Sequence, residues 1–134
     1  MKNWVLLFVG GGLGAVGREA LMLIVAAPLS GEGIDFLPVF VANMTAAFLI
    51  GLVTSLAMAK GPIGPEGKLF LATGVMGGLS TFSSLIWGTV NTIGDPTTQT
   101  VGLFYLGASM IIGFLMVQLG LWLGQRFTRE PLAS

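Results

Sequence analysis

Four long apolar stretches, separated by three short polar ones, divide the chain. They run from about Trp4 to Ala27, Leu37 to Ala59, Leu69 to Val90 and Val101 to Leu123. Each is close to the roughly 20 residues that a helix needs to cross a bilayer. The separators "PLSGEGID", "KGPIGPEGK" and "NTIGDPTTQT" carry the Pro and Gly residues that end helices. This pattern predicts an all-α membrane protein, a single domain over residues 1–134 with four transmembrane helices. The first stretch ends in "VAA", faintly like a signal-peptide cleavage site. It is too long for a signal's apolar region and contains Arg18 and Glu19, so it is expected to remain as a span.

One stretch breaks the pattern. Residues 74–85, "GVMGGLSTFSSL", place Gly77 and Gly78 and the hydroxyls of Ser80, Thr81, Ser83 and Ser84 at the middle of the third span. Irregular backbone survives at membrane depth only when buried in protein or lining a watery path. The expected device is a broken third helix, interrupted at Gly77-Gly78. The first half would expose carbonyls that suit a cation, and the second half N–H groups that suit an anion. The hydroxyls add donors, and Phe82 offers the positive edge of its ring. Such a set of neutral donors fits a small anion that must shed water without being trapped by a full charge. A Ser/Thr-rich packing seam is the plainer alternative.

Composition agrees with a membrane chain. Charged residues make up 9% and apolar ones 54%, with a mean hydropathy of +0.90, whereas soluble domains carry about a quarter charged residues. There is no Cys and no His, which removes disulfides, thiolate and imidazole chemistry and ordinary zinc sites. With net charge zero, nothing favours nucleic acid. No enzymatic constellation remains.

The charges are nonetheless unevenly placed. Four spans put both ends of the chain and the 60–68 loop on one side, with Lys2, Lys60, Lys68, Arg126 and Arg129. The other two loops hold Glu32, Asp35 and Asp95 and no basic residue. The positive-inside rule therefore predicts cytoplasmic termini in a multi-pass cell membrane protein.

Polar residues inside spans are functional candidates. Arg18-Glu19 is alternatively a pair reaching the outer interface, and Asn43 alternatively interhelical glue. In the fourth span, which also holds Gln118, Tyr105 and Ser109 are four residues apart and share a helix face. The glycines of "GGGLGAVG" (10–17) form a small-residue face suited to close helix approach, with no phosphate-loop signature.

These residues together resemble the small four-helix fluoride channels of the CrcB (Fluc) family, and the likeness covers all four spans. "GGGLGAVGRE" is similar to the family's first-helix GxxGAxxRY, which puts Arg18 at its arginine. "VANMTAAFLIG" resembles VNxxGxFxxG, with Asn43 at the pore asparagine. "GVMGGLSTFSSL" resembles the long and specific GxxGGxTTFSTF, and "YLGASMIIG" matches the Tyr and Ser four apart. The resemblance implies an antiparallel dimer with two fluoride pores. Their residues here would be Asn43, Phe82, Ser83, Ser84, Tyr105 and Ser109, with Arg18. It also implies a structural Na+ at the dimer centre, held by the backbone carbonyls of Gly77 and Ser80, and a role in passive export of toxic fluoride.

Some positions depart from the family pattern. Leu85 stands where a second Phe is usual, Ile86 and Gly88 where Ser and Glu follow, Val39 where a Thr precedes the Asn by four, and Glu19 where a Tyr follows the Arg. One pore wall therefore looks degraded, as a subunit paired with a non-identical partner would tolerate. The five-to-zero basic bias also disfavours inserting one chain both ways. An inverted homologous partner is the favoured expectation, and a homodimer the alternative. Two other functions stay open: a small multidrug or cation transporter using Glu19 as its coupling acid, and a non-conducting structural subunit.

Overall fold

The computed structural model describes residues 1–29, 36–58, 62–94 and 96–128. Helix α1 spans Lys2–Ala26 and passes into a 3-10 turn at Ala27–Leu29. Helix α2 spans Leu37–Leu56. The third span covers Pro65–Ile93 in pieces: α3 (Pro65–Lys68), a π-helical segment (Leu69–Val75), α4 (Met76–Leu79) and α5 (Phe82–Ile93). Helix α6, the fourth span, covers Gln99–Thr128. All four spans are long and apolar enough to cross a membrane. The protein is an all-α, multi-pass membrane protein. Parts of the second and third loops, around residues 59–61 and 95, lie outside the described residues, as do 30–35 and 129–134.

Pro residues sit where a helix tolerates them. Pro65 and Pro38 occupy the first turns of α3 and α2, where backbone N–H groups have no helical partner. The third and fourth spans outrun their apolar stretches because the backbone goes on bonding internally through the polar interface. Lys2 Nζ pairs with Glu66 Oε1 at 2.8 Å. That contact joins the start of α1 to the start of the third span, so the two run parallel.

Packing follows the small residues. Between helices in lipid the apolar solvent gives no hydrophobic drive, so close van der Waals contact must hold the bundle. The most extensive contact is α2 on α6. There Gly51 lies against the Val117 carbonyl, Gly120 against the Phe48 carbonyl, and Gly124 against Ser55. The second seam joins α1 to the third span, where Gly10 and Gly14 meet the backbone of Phe70, Gly74, Val75 and Leu79, and Gly78 meets Gly11 and Ala15. The packing role expected for the α1 glycines is what the structure displays. Ala42 and Ala46 of α2, with Met76 and Leu79 of α4, form the interior. Large residues such as Phe8, Trp87 and Phe104 face outward, as lipid-facing surfaces do.

The break in the third span lies three residues beyond the expected place. Gly77 and Gly78 are helical within α4, and the extended residues are Ser80 (φ −76°, ψ 152°) and Thr81 (φ −142°, ψ 109°). Gly78 serves close packing instead, since its missing side chain is where α1 approaches. Gly77 faces open space on the outer surface.

Candidate functional site

The break is held by side chains that replace helical hydrogen bonds. The Thr81 amide donates to Asn43 Oδ1 at 2.7 Å, and Asn43 Nδ2 donates to the Thr81 carbonyl at 3.0 Å. Asn43 thus reaches across from about two turns into α2 and grips one residue's backbone by both of its polar groups. Thr81 caps α5: its Oγ1 accepts from the Ser84 amide at 3.3 Å and donates to Ser84 Oγ at 2.9 Å, with Ser83 Oγ 3.3 Å away. In an unbroken helix the Thr81 amide would close on the Gly77 carbonyl and the Ser84 amide on the Ser80 carbonyl. Both amides are engaged elsewhere. The two carbonyls that the resemblance assigns to Na+ therefore lose their usual helical donors.

Beside the break runs a groove of about 350 Å³ between α2, α5 and α6. Its polar wall consists of Asn43, Ser80, Thr81 and Ser109, and its apolar wall includes Met44, Phe82, Leu85, Met110 and Phe114. Among the described residues no Asp, Glu, Lys or Arg lines it. The groove is open on one side, and Phe82 is 73% exposed at its edge. Ser109 is buried and donates to the Tyr105 carbonyl at 2.6 Å. Tyr105, a turn away, is buried against Phe36 with ring centroids 5.0 Å apart, and its hydroxyl has no partner among the described residues.

The structure thus brings Asn43, Phe82 and Ser109 to one groove, with Ser83 and Ser84 tied to its rim through Thr81 and Tyr105 packed behind it. Arg18 is not among the lining residues. It lies half-buried on α1, which supplies none of the groove wall. Glu19 is exposed on the same helix, and adjacent helical positions do not face one another. The two departures noted at Val39 and Leu85 part company here. Leu85 lies in the groove wall, whereas Val39 is buried and does not line it. Thr81 is the residue whose weight the sequence understated. A Thr opening a helix three residues before another hydroxyl is a capping signal, and it was legible.

Comparison with known proteins gives consistent matches. A family profile described as "CrcB-like protein, Camphor Resistance (CrcB)" matches residues 5–121. The chain is 47% identical over 122 residues to the "Fluoride-specific ion channel FluC 3" of Yersinia pseudotuberculosis, covering 91% of this chain and 88% of that one. It is 36% identical over 124 residues to a "Fluoride-specific ion channel FluC" of Thermus thermophilus, covering 92% and 96%. A protein of the same name from Chlorobaculum tepidum is 36% identical over 108 residues, covering 81% and 83%.

Proposed function

This chain belongs to the CrcB-like family, and on that premise we propose that it is a fluoride-selective channel subunit, not an enzyme, exporting fluoride across the cell membrane. The observation that carries this reading is the uncharged groove at the break, with an amide and hydroxyls gathered at one depth. Fluoride holds its water tightly, so several hydrogen bonds must replace that water together. Neutral donors do so without the deep trap that a buried Lys or Arg would create. The transporter alternative lacks comparable support, because Glu19 stands outside the groove.

The groove has a wall missing, and Phe82 stands exposed beside it. A second subunit, antiparallel in the membrane, supplies that wall in this reading. It is an inverted homologous chain by preference and a second copy otherwise. The termini are cytoplasmic. The carbonyls of Gly77 and Ser80 would hold a structural Na+ between the two subunits. Those carbonyls fit the ion because they are hard oxygen ligands whose helical donors are engaged elsewhere. Gly77 lies on the open surface where a partner's carbonyls would meet it. Leu85 in the groove wall favours one further possibility, a subunit that completes a partner's pore while its own conducts poorly.

Fluoride efflux from liposomes, read with a fluoride electrode, tests the proposal for the chain alone and with a candidate partner. Efflux of fluoride without chloride is expected. Phe82→Ile should cut it severely while leaving assembly intact, and Asn43→Ala should cut it as well. Normal efflux in both variants removes these residues from the pore, and no fluoride efflux under either condition removes the channel.

A further inference from the structure

We infer that Asn43 is the positioning residue that breaks the third span, acting from a neighbouring helix on the backbone of Thr81. The span's own sequence offers a cap at Thr81, which marks a helix start but does not compel extended backbone at Ser80. No proline lies between Glu66 and Ile93. The glycine pair, the weakest helix formers present, stays helical. What differs at the break is that one residue has its N–H and its C=O both taken by a single side-chain amide. The amide's orientation follows from those partners, because Thr81 N–H needs an acceptor and Thr81 C=O a donor.

The competition is specific. The Thr81 amide has two claimants, the Gly77 carbonyl four residues back and Asn43 Oδ1 at 2.7 Å. With Asn43 holding it, Ser80 and Thr81 are extended, and Thr81 Oγ1 then caps the next helix through the Ser84 amide. Without Asn43, the Thr81 amide would be bare in an apolar bundle, and the Gly77 carbonyl is its nearest acceptor along the chain. The span would close into continuous helix. The break is therefore a tertiary feature, present only where α2 is docked. Asn43 meets the groove with one amide hydrogen left, since its oxygen and its other hydrogen are committed to Thr81.

This inference rests on the groove being the pore only in assigning that last hydrogen to fluoride. The clamp itself is tested without fluoride. Ser80-Thr81 is the sole Ser-Thr step in the chain. Labelling serine with 13C at the carbonyl and threonine with 15N therefore yields one correlated carbonyl–nitrogen signal, at the break itself. Solid-state NMR of the full chain in lipid bilayers should place that signal at extended-backbone shifts. In Asn43→Leu, which keeps the branched outline with more bulk and cannot bond, the serine carbonyl should move downfield to the helical position. In Asn43→Asp, which keeps an acceptor for the Thr81 amide, it should stay extended. If Asn43→Leu does not fold, Asn43→Ala carries the same readout with no added bulk. An extended signal in the Leu or Ala variant overturns the inference, as does an Asp variant that moves with Leu. Wild-type fluoride efflux, measured separately, reports on the channel reading alone.

Discussion

A methyl group added at Gly78 and one added at its neighbour Gly77 should have opposite effects on the same helix. At Gly78 a Cβ would lie 2.9 Å from the Ala15 nitrogen and 3.0 Å from the Gly11 carbonyl carbon, and closer still to the Gly11 oxygen. Comfortable non-bonded contact is about 3.5–4.0 Å, so α1 and α4 must part by roughly 1 Å, which forfeits about a quarter to a half of each dispersion contact along the seam. All the obstructing atoms are backbone, and none can rotate away. Overpacking of this kind costs about 1–3 kcal/mol, and the rigid backbone puts this case at the upper end. The better helix propensity of Ala returns about 1 kcal/mol. The expected net loss for Gly78→Ala is about 2 kcal/mol. At Gly77 no atom lies within 4 Å of the added carbon, and the same propensity term stands alone. Gly77→Ala should therefore leave the isolated subunit at least as stable as wild type. Unfolding of the detergent-solubilised chain, titrated with SDS and followed by far-ultraviolet circular dichroism, measures the contrast. Equal stability of the two variants would falsify the packing account of Gly78.

Gly51→Ala and Gly120→Ala should each destabilise the α2–α6 crossing by about 1–3 kcal/mol, because a Cβ there meets backbone nitrogen at 3.0 and 2.8 Å. Both face one crossing, so the double variant should lose less than the sum in the same SDS titration. Replacing sodium rigorously with a large organic cation should weaken the dimer, and Gly77→Ala should alter that dependence without lowering subunit stability. Assembly and conduction that are indifferent to sodium refute the central ion. Paired C-terminal reporters for cytoplasm and periplasm should give a mainly cytoplasmic signal for this chain alone, since five basic residues stand against none across the loops. Comparable signals, with strong fluoride efflux from the purified chain, would restore the dual-topology homodimer.

The spans were legible because about twenty consecutive apolar residues have few other uses. The broken third helix was legible in kind, as hydroxyls and glycines have no reason to crowd mid-bilayer unless backbone or ligand uses them. Its position was not. Gly77 and Gly78 looked like the weak point by propensity, yet propensity is a small term beside a contact that no longer fits. Gly78 is held helical by its approach to Gly11 and Ala15, residues of another span far away in sequence. Distance along the chain likewise hid the Asn43–Thr81 clamp. Arg18 carried a full charge within a span, and only the packing of α1 against α4 and the π-helical segment shows that it does not enter the groove. Val39 and Leu85 looked alike as apolar substitutions in a polar pattern. Their surroundings separate them, one in the core and one on the groove wall.

The hydroxyl of Ser109 points its hydrogen at the Tyr105 carbonyl, and those of Thr89 and Thr92 do the same with Leu85 and Gly88. At rest, then, the hydroxyl beside the groove parks its hydrogen on its own helix and turns only lone pairs outward. To an anion in the proposed pore that surface is mildly repellent until the O–H swings. The swing gives up a bond of about 0.5–1.5 kcal/mol net. Turning a single hydroxyl belongs with the fastest side-chain motions, about picoseconds to nanoseconds, so the rearrangement adds to the energy of each visit and almost nothing to its duration. When the anion leaves, the carbonyl takes its hydrogen back, and the wall resets without any movement of the helices.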